Sequence, residues 1–362
     1  MGLTRLSLEN FRIFDSAAFE PDPQGTTVLL GPNGTGKTSI LEAVAYLATG
    51  RSFRGATRDA LVRQGQVSGY LHGSIDQPGR GTTTVDAEIN RSGAARLLIN
   101  KQPAKTRSDL ANAVTVTTFA PDDMVVVRGG PGARRELLDE ALSALNPHAG
   151  PLLETVDRVL RQRGALLKQA KGRLSGDVGS TLEVWDERLA EAGTALIALR
   201  IDLCRQLRPE VARAYEALAG STSSADITRL DYSPSFEGSL FDALQRTRED
   251  DLRRAQTTVG PHRDDLTLEI NDREARSQAS QGEQRCLALS LRLAIHRLAT
   301  THLGAPPILL LDDVFSELDL DRALRLIAEL PVGQTLISSA VPLPSDVQAT
   351  TTIHVNALRR HV

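Results

Sequence analysis

Aromatic side chains are scarce in this sequence: Trp, Tyr and Phe together make up 4% of 362 residues. That leaves little material for a platform on which the bases of a single strand could stack. There are only two cysteines, Cys204 and Cys286. Their spacing fits no metal site, and two thiols make no disulfide framework. Both fall within apolar helical patterns, as small core residues do, which suits a reducing compartment. No apolar run approaches the roughly 18 residues of a membrane-spanning helix. The first residues, MGLTRLSLENFRIF, lack the apolar core of a signal peptide or anchor. A cytoplasmic protein with no membrane partner is expected. Positive charge is also missing in bulk, since the net charge is −3. If DNA is a partner, it has to be met by local basic patches.

Hydrophobic residues make up 41% and charged residues 24%, an ordinary globular balance, and the length allows two or three folding units. Residues 3–8, 67–75 and 82–90 alternate as strands do, with a Gln77-Pro78-Gly79 turn before the last of them. Short strands are also expected at 26–30, 95–100 and 115–119. From about 132 to 219 the period becomes helical. One helix is predicted over 152–170. A second carries Leu182, Trp185, Leu189, Leu196 and Leu203, and Pro209 should break or kink it. The two read as an antiparallel arm. GSTSS (220–224) reads as a flexible connector. After a helix near 239–255 and a strand at 266–270, the chain runs helix 281–299, strand 308–311, helix 319–329, strand 334–338. That alternation indicates an α/β layer with a parallel sheet.

GPNGTGKT matches G-x-x-x-x-G-K-T at every fixed position: Gly31, Pro32, Asn33, Gly34, Thr35, Gly36, Lys37, Thr38. It follows a predicted strand and opens a predicted helix, the context that a phosphate-binding loop requires. The glycines let backbone N–H groups converge on phosphates, and the helix N-terminus favours anions. Lys37 is suited to bridge the β- and γ-phosphates of ATP, and the Thr38 hydroxyl to join the shell of Mg²⁺. ILLLDD (308–313) adds a buried strand that ends in two carboxylates. Ligands of open α/β sheets bind at such ends. Asp312 is expected in the Mg²⁺ shell, and Asp313 is expected to orient the attacking water.

SQGEQ (280–284) precedes an apolar helix. Ser280 with Glu283 three residues on has the form of a capping box, which would be a purely structural role. With the phosphate loop before it and the Asp pair after it, the stretch also resembles the signature of ABC-type ATPases. SELD (316–319) resembles their D-loop. In those enzymes the signature caps a nucleotide held by a second subunit. On that resemblance Ser280, Gln281, Gly282 and Glu283 would face ATP across a homodimer that forms on ATP.

Four further stretches narrow the resemblance: LSLENFRIF (6–14), GRSFRG (50–55), GGPGARRELLD (129–139) and VGPHRDDLTL (259–268). Together they resemble the RecF family of recombination mediators, of the SMC-like group. The resemblance implies an α/β ABC-type ATPase head with a mixed or parallel sheet, flanking helices, an antiparallel β-lobe and an inserted compact helical arm. The implied division is 1–130 and 257–362 for the two parts of the ATPase lobe and 131–256 for the arm. It further implies a DNA-dependent ATPase that clamps DNA at gaps or single-strand/double-strand junctions. Such a protein would work with RecR, and with RecO in the pathway, to load recombinase, with links to replication restart and the SOS response. The sequence departs from the pattern in places. FRIF stands for the usual FRNY. APDD (120–123) has no Q-loop glutamine, so Asp122 or Asp123 would stand in. SSA (338–340) offers no switch histidine. Asp313 replaces a common Glu, and its shorter reach implies slow turnover.

Three basic groups are candidates for DNA: Arg158, Arg161, Lys168 and Lys171 opposite the apolar face of the first arm helix; Arg51, Arg54, Arg58 and Arg63 after the phosphate-loop helix; and Arg134 with Arg135. Each could equally be a solvated or structural set. Such contacts would be salt-sensitive and blind to sequence, and duplex or the junction beside a gap fits them best. Arg163 falls on the apolar side and should pair internally. His262 and Arg263 of GPHRDD are as consistent with a structural role as with a nucleotide contact. Two rival readings are the ATPase subunit of a transporter, disfavoured by the long interval from Gly31 to Ser280, and a scaffold that binds ATP without hydrolysing it.

Overall fold

A computed structural model describes residues 1–77, 79, 81–146, 148–220, 228–343 and 349–358. Pro78 of the expected turn and residues 221–224 of the expected connector lie outside the described residues. The chain forms two compact units. One comprises Met1–Asp123, Arg213–Thr222 and Ala288–Val362; the other Met124–Ala212 and Ser223–Leu287.

In the first unit the phosphate-loop helix, Lys37–Thr49, is apolar nearly all round and buried from Ile40 to Ala48. A helix of that kind needs cover on more than one side. It packs against a parallel sheet and against an antiparallel one. The parallel sheet runs in the order Thr351–His354, Thr26–Leu30, Thr335–Ser339, Ile308–Asp312, Val116–Phe119. Of its three inner strands, Ile308–Asp312 and Thr335–Ser339 are buried throughout and Thr26–Leu30 at its three central residues, as expected where both faces are covered. The antiparallel sheet runs Phe14–Phe19, Gly2–Phe11, Ser68–Gln77, Gly81–Asn90, Arg96–Ile99, Gln102–Pro103. Leu6, Leu8, Phe11, Leu71, Ile75, Val85 and Ile89 point into the core, and the polar residues between them point outward. Gln334 fastens the first strand to the loop that leads into Thr335–Ser339: its side chain accepts from the Leu3 N–H and donates to the Leu3 and Asp22 carbonyls.

His296, on the helix Gln281–Leu303, is fully buried, and neither ring nitrogen has a partner among the described residues. Burial, helped by nearby Arg297, pushes its pKa down to about 4. The unfolded chain binds the proton near 6.5 and the folded chain only near 4, so stability is lost as pH falls through that interval. The loss is expected to reach about 3 kcal/mol. Denaturant unfolding at pH 7 and pH 4 checks this, because His296→Leu should lack that part of the pH dependence.

In the second unit the arm helices are Ala149–Ala170 and the part of Gly176–Ala219 up to Ala212. Leu166, Leu167, Ala170, Val178, Leu182 and Leu252 pack together near the turn that joins them. Of the expected break or kink at Pro209, a break is not what is found: the helix runs through it. A proline inside a helix forfeits one hydrogen bond. Leu207 and Val211, on either side of it, are buried. A three-stranded antiparallel sheet, Arg273–Glu274, Asp265–Ile270, Thr228–Ser233, packs on the helix Pro131–Leu145.

Candidate functional site

The strand Thr26–Leu30 delivers the chain into the phosphate loop, and the Gly31 N–H donates to the Ser339 carbonyl. Gly34 and Gly36 both have positive φ. Gly36 is also crowded: a Cβ there would lie 2.6 Å from the Phe14 ring. The turn at Arg12–Ile13 therefore seats directly on the loop. Lys37 is buried, and its Nζ donates to the carbonyls of Gly31 at 2.6 Å and Pro32 at 3.0 Å. Burial lowers its pKa, against the attraction of Asp313 and Asp312.

Thr38 Oγ1 donates to Asp312 Oδ1 at 2.8 Å, so the first turn of this helix and the end of the strand Ile308–Asp312 form one site. Ser338 Oγ donates to the same oxygen at 2.7 Å and accepts from the Asp313 N–H. Burial raises the Asp312 pKa despite these two hydroxyl bonds. Asp313 has a left-handed backbone, φ 49°, and its Oδ1 is buried with no partner among the described residues. The pocket holds about 320 Å³, and Ile13, Asn33, Lys37, Thr38, Arg54 and Asp313 are among the residues that line it. A hydroxyl, a carboxylate held by two hydroxyls and an orphaned carboxylate oxygen make a hard-oxygen set that fits Mg²⁺.

In the second unit Ser280 and Glu283 form the capping box: the Ser280 N–H donates to Glu283 Oε2, and the Glu283 N–H to Ser280 Oγ. Ser280 and Gln281 are exposed, and Gly282 and Glu283 are partly so. Gln284, the second glutamine of the stretch, is buried. It accepts from Arg128 and donates to the Ala275 and Arg276 carbonyls, seating the helix start.

Other candidates are dispersed. Asp123 accepts from Arg292 and from the Ala120 N–H, so its carboxylate is held in a structural pair; Asp122 is exposed. Arg158, Arg161 and Lys168 are exposed on the first arm helix. Lys171 is exposed too, but it lies past the helix end, in the left-handed cap. Arg51 and Arg58 are exposed, with Arg58 bonding the Gly93 carbonyl, and Arg63 pairs with Asp15. Arg54 lines the nucleotide pocket. Arg134 is buried and paired with Asp265, and the partly exposed Arg135 donates to the Asp264 carbonyl. His262 and Arg263 both bond the Thr257 carbonyl within their own unit. One residue of the site escapes a sequence reading, and another, read as a DNA candidate, is not placed at the nucleotide pocket by it. Ser338 shows only as part of an apolar strand, and Arg54 only as one of several arginines.

The chain matches the family model described as the RecF/RecN/SMC N terminal domain over residues 2–337. It is 38% identical over 358 residues, 95% of each chain, to the DNA replication and repair protein RecF of Acidothermus cellulolyticus. Among solved structures it is similar to the recombination mediator protein RecF of the RecFOR pathway in two forms. RecF-ATPrS gives TM-score 0.86 at 27% identity, covering 98% of this chain and 96% of that one. RecF-ATP gives 0.87 at 28%, covering 96% and 93%. The Smc head domain of Pyrococcus furiosus shares the fold at TM-score 0.54 and 15% identity, covering 94% and 90%.

Proposed function

Because the chain belongs to the RecF family, whose head fold is that of ABC-type ATPases, we propose that it is an ATP-gated clamp on DNA whose slow hydrolysis resets binding. The observation that carries this is the joining of Thr38 to Asp312 at 2.8 Å beside Lys37 and the unpartnered oxygen of Asp313. In this reading the phosphate loop and Lys37 hold the triphosphate of ATP. Thr38 and Asp312 would hold Mg²⁺, which when bound would supply positive charge beside the phosphates. Asp313 accepts a hydrogen bond from the attacking water and aligns it with the γ-phosphate. Arg54 meets the phosphates from the far side of the pocket. Ser280 and Gly282 of one copy cap the γ-phosphate held by a second copy, with Gln281 and Glu283 beside it. ATP thus becomes part of the homodimer interface.

The DNA-facing groups are then Arg158, Arg161, Lys168 and Lys171, with Arg51 and Arg58, reading phosphates alone. Function follows as recombinational repair: holding gapped or junction DNA and, with RecR and RecO, loading recombinase, which ties the protein to replication restart and the SOS response.

The test is fluorescence anisotropy of a gapped duplex titrated with the protein in ATP and in ADP, at two salt concentrations. Tight binding in ATP, weakened in ADP and by roughly tenfold or more in the higher salt, is the expected result. Ser280→Arg should abolish the ATP-dependent part by blocking the dimer while leaving Lys37 free to bind nucleotide. Equal affinity in both nucleotides would overturn the gating, and no binding in either would overturn the DNA role of the protein alone.

A further inference from the structure

Glu42 is a carboxylate buried on the phosphate-loop helix, fully out of solvent. Its Oε2 accepts from Arg12 Nε at 2.6 Å and its Oε1 from Arg12 Nη2 at 2.7 Å. Oε1 also accepts from the Ser52 hydroxyl. Ser52 Oγ in turn accepts two backbone N–H groups, of Arg54 at 3.1 Å and Ala56 at 3.2 Å. Arg12 has a left-handed backbone, φ 54°, and its Nη1 donates to the Ala60 carbonyl. One side chain therefore ties down two separate segments. Each carries a residue of the nucleotide pocket: Ile13 follows Arg12, and Arg54 is two residues beyond Ser52.

A buried ion pair stabilises a fold weakly, yet it constrains geometry strongly, because any displaced partner leaves a charge unpaired. Here the constraint falls where geometry decides chemistry. Phe53 and Ala56 of the Gly50–Ala56 loop pack against the core, and between them Arg54 is exposed, its backbone N–H held by the Ser52 hydroxyl. Without the Ser52 hydroxyl, the Arg54 N–H loses its acceptor and the loop its bond to Glu42. An arginine with a long flexible side chain then starts from an unfixed backbone.

We propose that Ser52 and Glu42 are positioning residues for nucleotide hydrolysis, holding Arg54 at the phosphate pocket through the Glu42–Ser52–Arg54 chain of hydrogen bonds, with Arg12 locking Glu42 in place. The inference rests on the ATPase reading above and adds residues that do not themselves touch substrate.

The experiment compares the full-length wild type with Ser52→Ala, Ser52→Thr, Arg54→Ala and the double variant. It measures steady-state ATP hydrolysis with DNA and the affinity for a fluorescent methylanthraniloyl-ATP. Ser52→Ala should lower kcat/KM by roughly tenfold, the loss of about one charge-assisted hydrogen bond. Ser52→Thr keeps the hydroxyl and should restore most of it. The double variant should be no worse than Arg54→Ala, since Ser52 acts only through Arg54; a merely structural serine would give losses that multiply. Wild-type hydrolysis in Ser52→Ala, or multiplying losses, overturns the positioning role while leaving nucleotide binding intact. A wild type that fails to bind the fluorescent nucleotide overturns the ATPase reading as well.

Discussion

Arg163→Met is expected to destabilise the second unit by about 3–5 kcal/mol, the cost of leaving the buried Asp251 carboxylate without its cation. Helical periodicity already places Arg163 on the apolar side of the first arm helix. It is fully buried there together with Asp186 and Asp251. Its Nε donates to Asp186 at 2.8 Å, and its Nη1 to Asp251 at 2.7 Å and to Thr257 at 2.8 Å. Arg248 and Gln245 also reach Asp186, and the Thr258 N–H and hydroxyl reach Asp251. The cluster joins both arm helices to the helix Leu240–Arg254 and to the threonines that precede GPHRDD. Methionine would fill much of the volume but would leave Asp251 with Thr258 alone. Trp185, the one tryptophan of the chain, is the neighbour of Asp186 and reports on this unit by its fluorescence. Urea unfolding followed at that signal should show the fall. Arg163→Met with Asp251→Asn should cost less than the two changes summed, because the second removes the charge that the first strands. An unmoved midpoint in Arg163→Met would mean that water or rearranged neighbours solvate the carboxylates.

What could be read in advance divides by the range of the physics. The phosphate loop, the ILLLDD strand and the Ser280–Glu283 cap are set by residues within a few positions of one another. Their chemistry is complete in the linear string, and each is found in the expected local form. The antiparallel lobe was legible because alternation marks a sheet with one wet face. Other features depend on register between distant segments. Ser338 meets Asp312 only because the strands Ile308–Asp312 and Thr335–Ser339 run parallel with those two residues opposite each other. Glu42 reads as an ordinary charged residue of a helix until Arg12 and Ser52 arrive from two other segments. The strand Thr351–His354 is a half-exposed edge, TTIH, whose pairing with Thr26–Leu30 no apolar pattern announces. Phe14–Phe19 follows a turn made by Arg12 and Ile13, where a non-glycine residue takes positive φ and no turn signal is present. For Arg134 and Arg135 the sequence leaves a DNA contact and a structural role open, because their anchors, the Asp265 carboxylate and the Asp264 carbonyl, lie far along the chain.

Lys37→Ala is expected to abolish the stabilisation that ATP gives the protein while changing its stability without ATP by about 1 kcal/mol or less. The second half follows from the site. The Lys37 ammonium is buried, and burial lowers its pKa, so holding the charge there is costly. Its bonds to the Gly31 and Pro32 carbonyls offset that cost. Alanine removes the cost and the bonds together. The first half follows from what a triphosphate offers instead: several anionic oxygens in place of two neutral carbonyls, hence a far better partner for a buried cation. A wild type that binds ATP should gain about 2.7 kcal/mol at a concentration a hundredfold above Kd, seen as a rise in the thermal midpoint with Mg²⁺ and ATP. The variant should show no rise at the same concentration. Both halves come from one pair of melting curves per protein. A full ATP-induced rise in Lys37→Ala would mean that the backbone N–H groups of the loop carry the phosphates unaided. A large fall in its midpoint without ATP would mean that Lys37 holds the loop in shape before any nucleotide arrives.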